Sequence, residues 1–114
     1  GEQMAQDFKR YFERAVGTVA VDIPNGSDFD TNDTIIGISV ANRVGSTINV
    51  DVYIKNSTND YYLVKTAPIP SGGALQLLDG GAKMNVQSGD RMYVVSDTAS
   101  SADVWVSTVD AISA

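Results

Sequence analysis

Apolar residues recur along this chain with two periods, and the change falls at Gly17. Before it, Met4, Phe8, Tyr11, Phe12 and Ala15 return at spacings of three and four, with Gln6, Lys9, Arg10 and Glu13 between them. That spacing predicts an amphipathic helix or arm over residues 4–16, with Gly17 as its C-terminal cap. About three turns are marginal for a helix alone in water. The stripe must therefore dock, on its own sheet or on a neighbouring subunit. Met4, Phe8, Tyr11 and Phe12 are the candidate oligomer contacts.

After Gly17 the period is two. Residues 18–23 read as a first strand, closed by the turn Pro24-Asn25-Gly26. Residues 34–44 are rich in β-branched side chains, with Ile36, Ile38 and Val40 on one face. Residues 47–56 alternate most clearly: Ile48, Val50, Val52 and Ile54 point one way, Asn49, Asp51, Tyr53 and Lys55 the other. With only Gly45-Ser46 between them, these two runs are expected to pair as a hairpin. Residues 61–66, 74–78, 83–86, 91–96 and 103–112 read as further strands. Pro68 and Pro70 exclude a central-strand position around Ile69. Short strands between regular turns predict an antiparallel β-sandwich, jelly-roll-like or immunoglobulin-like, over residues 17–114, with residues 1–16 as the appended arm. Its core is expected to hold Ile36, Ile38, Val40, Ile48, Val50, Val52, Ile54, Leu63, Leu77, Met84, Met92, Val94, Val104 and Val106.

Composition narrows the function more than the fold. The 114 residues suit one domain. A formal net charge of -6 disfavours nucleic acid as a partner, and the only basic concentration is Lys9, Arg10 and Arg14, interleaved with Asp7 and Glu13. No apolar stretch approaches the ~20 residues of a membrane span, so no membrane partner is expected. The start of the chain lacks the layout of a signal peptide. Histidine and cysteine are both absent, which removes the commonest general base, the commonest zinc ligand and any thiol nucleophile. The remaining carboxylates, lysines, serines and tyrosines show no catalytic spacing. The chain is expected to be no enzyme and to carry no cofactor.

Three features invite a ligand. Asp28, Asp30 and Asp33 could offer oxygen ligands to calcium, but the loop lacks the glycine and distal glutamate of an EF-hand. Asp and Asn in turns commonly bond their own backbone instead, so a solvated turn is the expected reading and no metal site is assigned. Gly72-Gly73 and Gly80-Gly81 join short strands and lead into no helix, unlike a phosphate loop. Trp105, with Tyr53, Tyr61 and Tyr62, is the candidate exposed aromatic surface. Tyr53 lies opposite the apolar face of its strand, whereas Trp105 is expected to be mostly buried or at a subunit contact.

A set of segments stands out along the chain: Thr34 to Asn42 with Ile48 to Ile54, Asp60-Tyr61-Tyr62-Leu63-Val64 and Ala67-Pro68-Ile69-Pro70-Ser71-Gly72-Gly73. Leu77-Leu78-Asp79-Gly80-Gly81-Ala82-Lys83, Val86-Gln87-Ser88-Gly89-Asp90-Arg91, Ser96 and residues 104–109 follow, after the opening Ala5 to Tyr11. Taken together they resemble the small virion structural proteins of tailed bacteriophages, especially marine cyanophages. The likeness spans nearly the whole chain and implies a structural component of the particle: capsid decoration, neck or tail. The partners it implies are other virion proteins and the chain itself, as a homo-oligomer of which a trimer is one form. The implied location is the virion, after synthesis in the host cytoplasm. The rival reading is a carbohydrate-binding or receptor-binding module of a phage fibre, which requires Trp105 or the tyrosines to line an exposed groove.

Overall fold

The structure is a computed structural model that describes residues 5–26, 33–78, 83–87 and 89–112. Among these residues every regular element is a strand. In chain order they are Ala5–Val16 (β1), Val21–Ile23 (β2), Asp33–Asn42 (β3), Ile48–Asn56 (β4), Asn59–Ile69 (β5), Ala74–Leu77 (β6), Met84–Asn85 (β7), Asp90–Ser96 (β8) and Ala102–Ile112 (β9). One sheet runs β1-β9-β3-β6, with β7 also on β3; the other runs β2-β8-β4-β5. Every pairing is antiparallel.

The pairing is nested. First strand meets last, second meets penultimate, β3 meets β6 and β7, and β4 meets β5. A long hairpin ribbon folded over on itself gives this order, and it is the jelly roll, not the immunoglobulin arrangement. β6 and β7 lie against successive stretches of β3, so together they make one interrupted edge.

The two sheets bury their facing stripes against each other. Ile35, Ile38 and Val40 of β3 and Val104 and Val106 of β9 meet Ile48, Val50 and Val52 of β4 and Met92 and Val94 of β8, all at most 2 % exposed. Each such side chain contributes about 1.5–3 kcal/mol by leaving water. Leu63, Leu77 and Met84, expected in this core, are partly buried and pack at its margin. Ile36 is not in it. A bulge in β3 between Ile35 and Gly37, where it pairs with β9, shifts the alternation by one, so Ile35 turns inward and Ile36 is only half-buried.

Residues 5–16 form a strand, not a helix. β1 pairs with β9 from Ala5↔Ile112 to Val16↔Ala102. Aromatic residues suit a pleated surface, and β9 offers backbone partners along the whole segment, whereas a three-turn helix leaves its end groups unpaired. Phe8 and Phe12 satisfy either period, which is why the sequence reads both ways. β1 is thus a strand of the sandwich itself. Gly17 caps nothing: a Cβ there would come within 3.0 Å of the Ser100 amide nitrogen, so the close crossing beneath the 97–101 turn needs glycine.

The expected hairpin of β3 and β4 does not form either. β3 pairs with β9, β6 and β7, while β4 pairs with β5 and β8 in the opposite sheet. Side by side, both apolar stripes would lie on one face and need a third layer to cover them; face to face, each covers the other. Buried Asn42 fixes the crossing. Its Nδ2 donates to the carbonyls of Ser46 (2.7 Å) and Ile69 (2.9 Å), and its Oδ1 accepts from the Val44 amide (2.9 Å). The true hairpin is β4–β5, turned at Ser57 with φ 59°. β5 is an edge strand, where Pro68 is tolerated.

Candidate functional site

Strand alternation decides what each outer face presents. On the β1-β9-β3-β6 sheet, buried Val104 and Val106 force Trp105 outward, and its register partners Phe12 and Ser39 share that face. Trp105 is 49 % exposed, Phe12 49 % and Phe8 66 %. The expectation that Trp105 is mostly buried is therefore corrected, and the alternation of its own neighbours already carried the signal. The Phe12 and Trp105 rings meet edge to face, with centroids 4.5 Å apart and planes at 76°. The Arg10 guanidinium lies 4.9 Å from the Phe12 ring centre. We call this the front face.

Trp105 stands proud because its neighbours are small. Gly37, Ser39 and Ser107 line a groove of about 290 Å³ on one side, closed by Gln76, whose Nε2 donates to Ser39 Oγ at 3.0 Å. A second groove of about 330 Å³ runs between Phe12, Arg14, Ala41 and Asp103. A third of about 310 Å³ lies toward Phe8 and Arg10. Asp103 is held at 3.4 Å from Arg43 and accepts from the Ala15 amide at 2.9 Å. Arg10 and Arg14 are both exposed along β1, which makes the front face cationic on an acidic chain.

The other sheet presents a different surface, the back face. Tyr93, Tyr53 and Tyr62 are register neighbours across β8, β4 and β5. Tyr53 stacks on Tyr93 at 5.4 Å with planes 13° apart, and meets Tyr62 at 5.1 Å and 45°. Lys65 Nζ sits 4.5 Å above the Tyr62 ring. Around the row run three ion pairs, Arg91–Asp22 at 3.3 Å, Lys55–Asp60 at 3.5 Å and Lys65–Asp51 at 3.9 Å. Partial burial, then the charge of Asp60, pushes the Tyr53 hydroxyl above its ordinary pKa. At the end of this face, Asp97 accepts from the side chain and backbone of Asn49 (2.9 and 3.0 Å) and from Thr98 Oγ1 (2.9 Å), which holds its carboxyl below the usual range.

The structure thus divides the candidate aromatics. Phe8, Phe12 and Trp105 gather on the front; Tyr53 and Tyr62 gather on the back with Tyr93. Tyr61 pairs with Ile54 and so belongs to the inner side of β5, where it is exposed beyond the sandwich margin. Tyr11, read as an oligomer contact, also points inward and packs against the core. Met4 lies outside the described residues.

The inventory for chemistry is short. Among the described residues no group of three His, Cys, Asp or Glu side chains could hold a metal ion. Asp33 is buried at the start of β3, and its carbonyl accepts from the Val86 amide; Asp28, Asp30 and Gly80-Gly81 lie outside the described residues. Partly buried Glu13 has its carboxyl pushed upward by that burial and by the charge of Asp22. No helix among the described residues is long and apolar enough to cross a membrane. What the surface offers is two dissimilar aromatic faces.

No family model matches the chain, and no curated protein does. A solved structure described as Bacillus endospore appendages, a novel family of disulfide-linked pili, is similar in fold. It superposes with a TM-score of 0.58 at 14 % identity, over 99 % of this chain and 93 % of that one. These 114 residues contain no cysteine for a disulfide link.

Proposed function

We propose that this chain is a structural subunit that works by self-association within a larger protein assembly. The observation that carries the reading is the front face: three large aromatic side chains, each about half exposed or more, lie on one sheet of a 114-residue domain. Contiguous exposed aromatic surface on a small protein marks a contact site, since leaving it in water costs solubility. The fold of a pilus subunit supports the same reading. So does the resemblance to virion structural proteins, which makes a phage particle, as decoration, neck or tail, the specific setting proposed. With no cysteine among these 114 residues, contacts between them are not disulfides.

The test is the solution mass against concentration, by light scattering. A subunit of this kind rises above the 12.1 kDa monomer as concentration increases. A mass fixed at the monomer value up to millimolar concentration overturns the reading. Immunodetection in purified phage particles then tests the setting.

A further inference from the structure

The sheet edges and the sheet faces are treated differently in this molecule. Every outer strand carries something that discourages pairing with a further strand. β2 has three residues, and β6 and β7 are short and interrupted. β5 contains Pro68 and a left-handed Thr66 at φ 53°. β1 carries Lys9, Arg10, Glu13 and Arg14 and breaks register between Glu13 and Val16 around Ala15 at φ 56°. Prolines, bulges, charges and shortness are the usual means of guarding an edge. The faces instead carry the exposed aromatic rings.

The two faces also differ in charge. The front bears Arg10 and Arg14 beside its rings, with Asp103 already engaged by Arg43. The back bears Asp22, Asp51, Asp60 and Asp97 against Arg91, Lys55 and Lys65. On the back Asp22, Asp51 and Asp60 each already face one of these cations, so Asp97 leaves that face with one negative charge in excess, whereas two fronts together would oppose arginine to arginine. A front on a back brings opposite signs and two sets of aromatic rings together.

We propose that copies of this chain stack front to back, the Phe12–Trp105 face of one copy packing on the tyrosine row of the next. The inference rests on the self-association reading and specifies its interface. Tyrosine rings can then meet Trp105 and Phe12, while Arg10 and Arg14 reach the aspartates beside the row. The outline of the domain, 54 by 30 Å on its broad side, exceeds the ~800 Å² per partner of a stable interface. The contact is heterologous: each added copy leaves one free front and one free back. It therefore continues as an open stack and does not stop at a symmetric dimer.

Complementation tests this directly. Trp105→Arg breaks the front alone, and Tyr62→Arg breaks the back alone. Each position is about half exposed, so the fold should survive, which thermal unfolding of each variant checks; Phe12→Lys serves as a second front variant. The expected result is a concentration-dependent mass for the wild type, monomer for each variant alone, and a species of two chains, no larger, for the equimolar mixture. Variants that assemble like the wild type, or a mixture that stays monomeric, overturn front-to-back stacking while self-association stands. A monomeric wild type overturns both. If its Trp105 emission shifted on a glycan array hit, the front would belong to a sugar.

Discussion

The front and back faces share one plan, three aromatic rings on the outside of an antiparallel sheet, yet the rings are covered differently. On the back, Tyr53 lies between two other rings, and a lysine sits over the Tyr62 end of the row. On the front, Trp105 has one ring partner and rises over glycine, serine and alanine. The back rings brace one another into a fixed row that still leaves Tyr62 half exposed; the front rings stand with less support from their own chain. The difference follows from composition. Outward positions of β4 and β8 hold tyrosine beside tyrosine, whereas those of β3 beneath Trp105 are all small.

The largest expected effect removes what makes the two faces separate. Asn42→Ala deletes the amide at the crossing from β3 to β4 and leaves two carbonyls and one amide nitrogen without their partner. Only the Ile69 contact is fully buried, and a buried group left unsatisfied costs about 1–3 kcal/mol, so with the two part-buried contacts we expect a loss of about 2–3 kcal/mol in urea unfolding. A loss below 1 kcal/mol would mean that core packing alone sets the crossing. Next, Tyr53→Ala should cost about 1–2 kcal/mol by breaking two ring contacts, and Trp105→Ala less than half of that. Equal losses would erase the distinction between the faces.

Smaller effects test the interior and the rim. Thr108 faces inward at 1 % exposure, and its Oγ1 has no hydrogen-bond partner among the described residues. Thr108→Val should therefore stabilise the monomer, by about 1 kcal/mol; a loss in thermal unfolding would reveal a partner for the hydroxyl. Least of all, Asp97→Asn should alter the pH profile. The Asp97 carboxyl is held below its unfolded value, so its contribution is present at neutral pH. It is lost as pH falls through the ordinary carboxylate range, near ~4, and below. The variant should be slightly less stable at pH 7 and show a shallower acid limb. An unchanged limb would place the acid sensitivity elsewhere.

Much of the sandwich was legible in the sequence because period two survives wherever one face is buried. β4 shows it without interruption from Ile48 to Ile54. What periodicity does not carry is the identity of the neighbour. β3 and β4 read as a hairpin because the connection is short, and only the need to cover both stripes turns them into opposite layers. The bulge at Ile36 changed parity, and the lone glycine beside it, Gly37, is the only local mark it left in the sequence. β1 was ambiguous for a simpler reason: residues 8 and 12 lie on one face of a helix and of a strand alike. The candidate site was legible in its residues but not in its grouping. Phe8, Phe12 and Trp105 come together only once β1 pairs with β9, and Tyr53 and Tyr62 are separated from them by the thickness of the core.

The chain holds a single tryptophan, and it stands in the middle of the front face, so its emission reports that face alone. Fluorescence recorded across the concentration range over which the mass rises is the most direct measurement. Front-to-back contact predicts a blue shift that grows with the assembled fraction, as Trp105 leaves water. An emission maximum that stays put while the chains assemble would contradict it.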